Sequence, residues 1–341
     1  MARLTIVTSM KNEAPFLLEW IAHYRVLGFT DILIATNDCT DGTVEMIARL
    51  EELGLARLHR TRIRAGGIHR SAIRQLSRFE EVKTADWIFV CDADEFLNIH
   101  YGDGGVEELI EATGGPDVIS VTWRIFGPNG QGSFADRRMT EQFTRAEAPR
   151  NRGRSRQAEK FVKSLFRGTL DVRRMGLHYP LLPNAAREGA TWVAGDGKDY
   201  RVNSRGLGRA TGWQGAQVNH YALRSLDSYL VKRDRGRANH MGETVGLSYW
   251  RRFDKNHVED TSIARYATRS DAMLAELKAD PRLGELHEAA VAWHRAKAAE
   301  MRGREELAEM IAEMEATLAP DPVTAAAPAP DPAPASDGAK A

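Results

Sequence analysis

Residues 4–43, LTIVTSMKNEAPFLLEWIAHYRVLGFTDILIATNDCTDGT, contain two strand-and-helix units in succession. The apolar runs Leu4–Thr8 and Asp31–Thr36 each predict a short buried strand. Between them, apolar residues at helical spacing follow Pro15, and Gly28 ends that helix. The turn Thr40–Thr43 leads into a second helix. Strands that alternate with helices in this way predict a parallel sheet.

The same alternation continues to about residue 125. The further predicted strands are Ala56–Arg60, Trp87–Cys91 and Val118–Trp123, and the helices between them are His69–Lys83 and Val106–Thr113. We therefore predict an α/β fold with a doubly wound, mostly parallel sheet. In such sheets ligands bind beyond the carboxyl ends of the strands. That rule selects three polar segments: Ser9–Glu13, Asn37–Asp41 and Asp92–Glu95.

Composition and charge are those of an ordinary globular protein. Of the 341 residues, 43% are hydrophobic, and 47 Lys and Arg balance 47 Asp and Glu. This balance gives no overall attraction to nucleic acid, so we expect no nucleic-acid partner. Cys39 and Cys91 are too few for a disulfide framework and suit a reducing compartment. With no signal peptide and no long apolar run, we expect a cytoplasmic protein, with peripheral contact at the inner membrane face as a further option.

The acidic segment Asp92–Glu95 follows the most apolar predicted strand directly. Carboxylates at alternate positions of a strand point to the same side, so Asp92 and Asp94 can share one cleft. Paired carboxylates suit a hard divalent ion such as Mn²⁺ or Mg²⁺, which neutralises a diphosphate leaving group. The alternative is a solvated turn, in which Asp is common.

Two other strand ends offer groups for a nucleotide. Asn37 and Asp38 can accept hydrogen bonds from a base or from ribose hydroxyls, and the alternative is a helix-capping turn. Lys11–Glu13 ends the first strand, and its alternative is a helix start in which Glu13 favours the positive helix end.

Several motifs, taken in order, resemble the bacterial family 2-like glycosyltransferases, which are related to the family 92 type. They are TSMKNEAPFLLEWIAHYRVLGFTDILIATNDCTDGT at residues 8–43, ADWIFVCDADEFL at 85–97, FGPNG at 126–130 and VNHYALRSLDSYLVKRDRG at 218–236. The resemblance implies a GT-A-type fold and an enzyme that transfers a sugar from a nucleotide-sugar donor. It spans about residues 3–240.

Carried onto matching positions, the resemblance implies a metal site and a donor site. The metal ligands are Asp92, Asp94 and His220, with Glu95 in support, and imidazole is compatible with oxygen ligands around Mn²⁺. His178 is a further candidate histidine. The implied donor-binding residues are Asn12, Glu13, Asn37, Asp38, Lys232 and Arg235. Structural alternatives remain for His220, as a hydrogen-bonded core histidine, and for the two cations, as an exposed helix face.

Such enzymes invert the anomeric centre, which requires a base for the acceptor hydroxyl. Asp196 is the preferred candidate base, and Glu159 and Glu188 lie in the same region. The expected acceptor is a glycan or a lipid-linked glycan. Two positions depart from the family pattern. Asn37 stands where an acid is common, and His69 stands where a glutamine-type residue is expected. These departures leave the donor's identity open.

The domain prediction follows the same motifs. Residues 1–240 form the transferase domain, with 1–125 as the nucleotide-sugar half and 126–240 as the acceptor half, which is irregular from 126 to about 215. Residues 145–174 hold ten Lys and Arg against three Asp and Glu, which indicates either a solvated loop or an acceptor surface. Residues 241–318 form a helical extension, and the Ala/Pro-rich residues 319–341 form a disordered tail. The extension's apolar stripe indicates core packing, with a helical partner or a membrane surface as the alternative. It consists of Leu307, Met310, Ile311, Met314 and Leu318.

Other functions fit the motifs less well. A nucleotidyltransferase would have a glycine-rich phosphate loop after the first strand, where this chain has SMKNE at residues 9–13. An aspartyl phosphohydrolase would have its acidic pair after the first strand, and a dinucleotide-binding protein would show a Gly-X-Gly-X-X-Gly turn. A non-catalytic nucleotide-sugar-binding protein is expected to lack the acidic pair or His220.

Overall fold

The computed structural model describes residues 2–64, 67–149, 161–200, 212–236 and 246–318. The strands are β1 Leu4–Met10, β2 Asp31–Thr36, β3 Arg57–Arg60, β4 Trp87–Val90, β5 Glu95–Ile99, β6 Val118–Ile125, β7 Arg145–Ala146, β8 Val162–Arg167, β9 Trp192–Ala194, β10 Ala216–His220 and β11 Val258–Glu259. The helices are α1 Ala14–Val26, α2 Thr43–Glu52, α3 Ile68–Leu76, α4 Glu80–Lys83, α5 Val106–Ala112, α6 Met139–Gln142, α7 Asn184–Gly189, α8 Leu226–Arg235, α9 Leu247–Phe253, α10 Ala267–Ala279, α11 Pro281–Arg302 and α12 Ala308–Leu318. Short 3₁₀ turns lie at Ser262–Tyr266 and Glu305–Leu307.

The first half of the main sheet is parallel, as predicted. β1 pairs with β2 and β4, and β2 pairs with β3, so the order is β3-β2-β1-β4. β1 is buried along its whole length, because helices cover both faces of the sheet. Pro15 lies in the first turn of α1, where its missing N–H costs no hydrogen bond. Gly28 follows that helix with φ of 101°, a conformation that favours glycine.

A strand from far along the chain completes the sheet. β8 lies between β4 and β6 and runs antiparallel to both. The prediction of an irregular region over residues 126–215 is therefore wrong at β8, and also at β9, which pairs with β6. Lys163 and Ser164 interrupt the apolar pattern of β8, although both side chains are buried. Because these two residues are polar, the hydrophobic pattern of the sequence did not predict this buried strand.

The acidic segment turns the chain back into the sheet. The chain turns at residues 93–94, and Glu95 is already the first residue of β5. β5 pairs antiparallel with β10, and their register places Glu95 opposite His220. β10 in turn lies parallel to β6. This pairing brings a histidine from late in the chain next to the acidic segment.

The C-terminal helices share the core of the sheet domain. α10 and α11 pack against α1, and α11 also contacts α2 and α8. One cluster of buried apolar side chains runs from Leu4 to Met314. Within the predicted helical extension, α11 and α12 are separate helices that are divided at Gly303. Leu307, Ile311 and Met314 are buried, so the core-packing interpretation of the apolar stripe is confirmed.

The predicted class is therefore confirmed: a large, mostly parallel α/β sheet with a helical C-terminal part, consistent with the GT-A type. The domain boundaries stay a prediction. The tail predicted over residues 319–341 lies outside the described residues. Within the described ranges, no helix combines the length and the apolar character needed to cross a bilayer.

Candidate active site

A cavity of about 330 Å³ opens at the carboxyl ends of β1, β2 and β4. This is the edge that the sequence predicted for ligand binding. Seven of the predicted metal- and donor-site residues line the cavity, together with the further candidate His178: Glu13, Asn37, Asp92, Asp94, His220, Lys232 and Arg235. The structure thus brings these seven residues, from four separate sequence segments, to one place.

Two predicted nucleotide-binding residues, Asn12 and Asp38, are not among the residues that line the cavity. Asn12 has φ of 50°, and its side-chain oxygen accepts a hydrogen bond from the Thr40 N–H at 2.9 Å. Asp38 has φ of 47° and is exposed, with one carboxylate oxygen 3.1 Å from the Asn37 amide nitrogen. Both strand-end loops are therefore held by their own polar side chains. The Asp41 carboxylate accepts hydrogen bonds from the N–H groups of Thr43 and Ala14, which are the first residues of α2 and α1.

A buried lysine pairs with Asp92. Lys163 on β8 is fully buried, and its Nζ lies 2.9 Å from Asp92 Oδ2 and 3.1 Å from Glu95 Oε2. Burial alone would raise the pKa of Asp92, but the Lys163 ammonium and the nearby His69 lower it to about 2. Burial and the negative charges of Asp92 and Asp94 raise the pKa of Glu95 to about 8, and the positive charge of Lys163 offsets this only in part. Asp92 is therefore the principal counter-charge of Lys163 near neutral pH.

Asp94 has its own lysine and a histidine. Lys232 Nζ on α8 lies 2.6 Å from Asp94 Oδ2, and His220 Nε2 lies 3.6 Å from Asp94 Oδ1. Burial opposes ionisation here too, but the Lys232 and His220 neighbours hold the pKa of Asp94 well below its usual range. Asp94 is therefore a carboxylate with one oxygen committed to Lys232 and the other directed towards His220.

Glu13 orients two arginines. Its carboxylate pairs with Arg224 at 2.7 Å and with Arg235, and both arginines are nearly buried. Burial would raise the pKa of Glu13, yet Arg224 and Arg235 lower it. Arg235 also donates to the Lys11 carbonyl at 2.6 Å, which fixes α8 to the end of β1. Glu13 therefore positions cations at the cavity.

One side of the cavity is aromatic. Trp123 and Phe161 stack with ring centres 5.1 Å apart, and His178 meets the Trp123 ring edge at 5.3 Å. The short helix α9 supplies Tyr249, Arg252 and Phe253 to the lining. His178 Nδ1 lies 3.0 Å from the Val162 carbonyl, so Nδ1 carries the proton and Nε2 is left as an acceptor.

Several of these residues were not predicted from the sequence. They are Lys163, Arg224, Trp123, Phe161, Tyr249, Arg252 and Phe253. A lysine inside the apolar run FVKSLF at 161–166 was the one available signal, because an unpaired lysine is rarely buried. The FGPNG motif at 126–130 has a structural part, since Gly127 N–H donates to the carbonyls of Arg145 and Lys255, each at 3.0 Å.

Neither of the two candidate bases within the described ranges, Asp196 and Glu188, lines the cavity. Asp196 lies in the turn after β9, where Lys198 Nζ is 2.6 Å from its carboxylate, and it is not among the cavity-lining residues. Glu188 is exposed on α7. Glu159 lies outside the described residues.

A divalent cation fits a subset of the acidic segment. Ligand atoms of Asp94, Glu95 and His220 lie within 4.8 Å of one another. Glu95 Oε1 and His220 Nδ1 are buried without a hydrogen-bond partner among the described residues. Two carboxylates and an imidazole form a donor set that suits Mn²⁺ or Mg²⁺. The predicted ligands Asp94 and His220 are thus together, while Asp92 is engaged by Lys163.

Comparison with known proteins identifies the family of this chain. Residues 7–185, more than half of the 341-residue chain, match glycosyltransferase family 92. The chain therefore belongs to glycosyltransferase family 92. A comparison with curated proteins gave no match.

Distant likenesses to solved structures are found as well. S. aureus TarS residues 1–349 in complex with UDP-GlcNAc is 12% identical, with a TM-score of 0.37 over 92% of this chain and 79% of that chain. The same fragment with UDP is 13% identical, with a TM-score of 0.36 over 88% of this chain and 91% of that chain. For a structure of S. aureus TarS the identity is 16% and the TM-score 0.31, over 49% of this chain and only 29% of that chain.

Proposed function

We propose that this glycosyltransferase moves a sugar from a nucleotide-sugar donor to a glycan or lipid-linked acceptor, with inversion and with the help of Mn²⁺ or Mg²⁺. The observation that supports this most directly is the meeting of Asp92, Asp94, Lys232 and Arg235 in one cavity at the carboxyl edge of the sheet. Carboxylates for a cation and cations for a diphosphate are the two requirements of such a donor site.

The donor diphosphate is placed beside α8. Lys232 and Arg235 line the cavity one turn apart on that helix, and Asp94 and Glu13 hold them in position. Their charges offset those of the diphosphate as it leaves, and Arg235 offers a planar pair of donors. Asn37, at the end of β2, is buried at the same edge and offers an amide to the nucleotide.

The cation is assigned to Asp94, Glu95 and His220. When bound, it would supply positive charge to the leaving diphosphate. Asp92 remains paired with Lys163, and this ion pair holds the acidic segment Asp92–Glu95 against β8. Lys232 holds the Asp94 oxygen that faces away from His220.

The acceptor is placed against the aromatic side. Flat rings such as Trp123 and Phe161 suit the apolar faces of a sugar, and Nε2 of His178 can accept a hydrogen bond from an acceptor hydroxyl. Burial lowers the pKa of His178 to about 4, so the ring is neutral near pH 7 and keeps this lone pair. Asp196 and Glu159 remain candidates from the sequence for the base.

The experiment is a thermal-shift panel of UDP-, GDP-, CMP- and dTDP-sugars with and without Mn²⁺. We expect one nucleotide class to raise the melting temperature in a metal-dependent way, since a ligand that binds only the folded state stabilises it. Asp94→Asn should abolish that shift and donor turnover, whereas the exposed Asp171→Asn should keep both. An Asp94→Asn protein that turns over donor normally would refute the assignment of the metal and diphosphate site.

A further inference from the structure

A block of positive charge lies next to the cavity in an otherwise neutral chain. Residues 53–79 contain seven arginines and no Asp or Glu, although the whole chain has 47 residues of each sign. The block covers β3, the segment that follows it and α3. Such a local excess creates a positive field that the net charge of the protein conceals.

The arginines of this block are largely without partners. Arg57 pairs with Glu51 and Glu81. The other six are exposed and have no carboxylate within 4.0 Å in the described part of the chain: Arg60, Arg62, Arg64, Arg70, Arg74 and Arg78. We call these six residues the arginine surface. Their charges are free to interact with a partner.

Hydrogen bonds hold the two parts of the arginine surface side by side. Arg62 N–H donates to Gln75 Oε1 at 3.1 Å, and Gln75 Nε2 donates back to the Arg62 carbonyl at 2.8 Å. Arg64 N–H donates to Ser71 Oγ at 2.9 Å. The segment after β3 therefore runs along α3, and its arginines adjoin those on the outer side of that helix.

An exposed apolar side chain lies within this positive surface. Ile63, between Arg62 and Arg64, is 44% exposed and is one of two large apolar side chains exposed to this degree in the described ranges. Arginines around an exposed isoleucine match a bilayer with anionic headgroups, because the headgroups attract the cations and the boundary region accepts the apolar side chain. A soluble polyanion would use the arginines alone.

We propose that the arginine surface and Ile63 dock the protein on an anionic lipid bilayer. α3 also supplies Ile68 and His69 to the cavity lining, so docking through its outer side keeps the cavity near the bilayer. This inference goes beyond the transferase reaction and does not depend on it. It predicts reversible binding, because most of the attraction is electrostatic and Ile63 adds only one apolar side chain to it.

The test is vesicle co-sedimentation of the full chain. We expect binding to vesicles of equal parts phosphatidylcholine and phosphatidylglycerol, loss of binding in high salt, and little binding to pure phosphatidylcholine. Arg62→Gln/Arg74→Gln/Arg78→Gln should weaken binding ~100-fold, at about fivefold for each arginine near the surface. Arg173→Gln/Arg282→Gln/Arg295→Gln, three exposed arginines elsewhere, should bind as the wild type does.

Ile63→Ser separates a bilayer from a soluble polyanion. We expect it to weaken vesicle binding several-fold and to leave binding of heparin or an RNA oligomer unchanged. The proposal is overturned if the wild type ignores anionic vesicles, if both triple variants lose binding equally, or if RNA binds more tightly than vesicles and Ile63→Ser has no effect. Donor-induced thermal shifts should stay normal in all these variants, so a failure here is distinct from a failure of the transferase proposal.

Discussion

Replacing Lys163 by Met should destabilise the protein strongly, because it leaves Asp92 partly buried beside no cation. The Lys163 side chain is fully buried, and that of Asp92 is 25% exposed. The pKa of Asp92 near 2 lies about two units below the usual value, which corresponds to about 2–3 kcal/mol of stabilisation. Without Lys163, burial is unopposed and raises this pKa, so we expect a total loss of about 3–5 kcal/mol at neutral pH.

The pH dependence gives this prediction its sharpest check. In the wild type the folded-state pKa of Asp92 is depressed, so its stabilisation is present above about pH 4 and is lost as the pH falls towards 2. In Lys163→Met the same carboxyl protonates at a higher pH, which removes the buried charge. The difference in free energy of unfolding between the two proteins should therefore shrink as the pH is lowered.

Urea unfolding at several pH values measures this difference directly. The slope of the transition should stay the same in both proteins, so that the midpoints report stability. Lys83→Met is the matched control, since that lysine also pairs with a carboxylate, Glu80, at 2.6 Å but the two side chains are 53% and 73% exposed, and only a small change is expected. A loss for Lys163→Met that is below about 1 kcal/mol, or that does not vary with pH, would refute the reasoning.

Three further predictions concern other parts of the chain. Asp196→Asn should keep kcat within about threefold of the wild type in a donor-turnover assay, since Asp196 pairs with Lys198 and does not line the cavity. A loss of the order of a thousandfold would instead identify Asp196 as the base. Burial lowers the pKa of His23 to about 4, so the unfolded chain binds the extra proton first and stability should fall by about 3 kcal/mol between pH 6.5 and 4. His23→Gln should flatten that part of the pH profile, and an unchanged slope would contradict the assignment. Trp250→Ala should lower the free energy of unfolding in urea by about 3–5 kcal/mol, because Trp250 is fully buried and its Nε1 donates to Thr317 on α12. Trp250→Phe keeps an aromatic ring in that space and should lower it clearly less.

The fold was predictable where the chain is locally periodic. The alternating apolar runs from Leu4 to Val90 identified the parallel strands, and the strand-end rule located the cavity. β8 was not predictable in this way, since Lys163 and Ser164 are buried for reasons of pairing rather than hydrophobicity. The register that sets Glu95 opposite His220 also depends on long-range pairing, which sequence periodicity does not contain.

The site residues that belong to recognisable sequence motifs could be predicted. Asp92, Asp94, His220, Lys232 and Arg235 were identified from their order and family resemblance, and all line one cavity. The ion-pair partners of Asp92 and Glu13 were missed, because Lys163 and Arg224 are ordinary residues in the sequence and acquire their importance only through burial. The aromatic side was missed because α9 lies in the helical extension, far from the motifs.

The position of β8 between β4 and β6 also constrains how the chain folds. β4 and β6 have no pairing with each other, so the sheet stays open until residues 162–167 arrive from much later in the sequence. Pairings of such long range close large loops and slow the folding reaction. During synthesis, the first 125 residues would thus emerge with the edges of β4 and β6 that β8 later covers still unpaired, and with Asp92 lacking its ammonium. A ribosome-bound chain of that length should be a substrate for chaperones, and it should become protease-resistant only after β8 has left the exit tunnel.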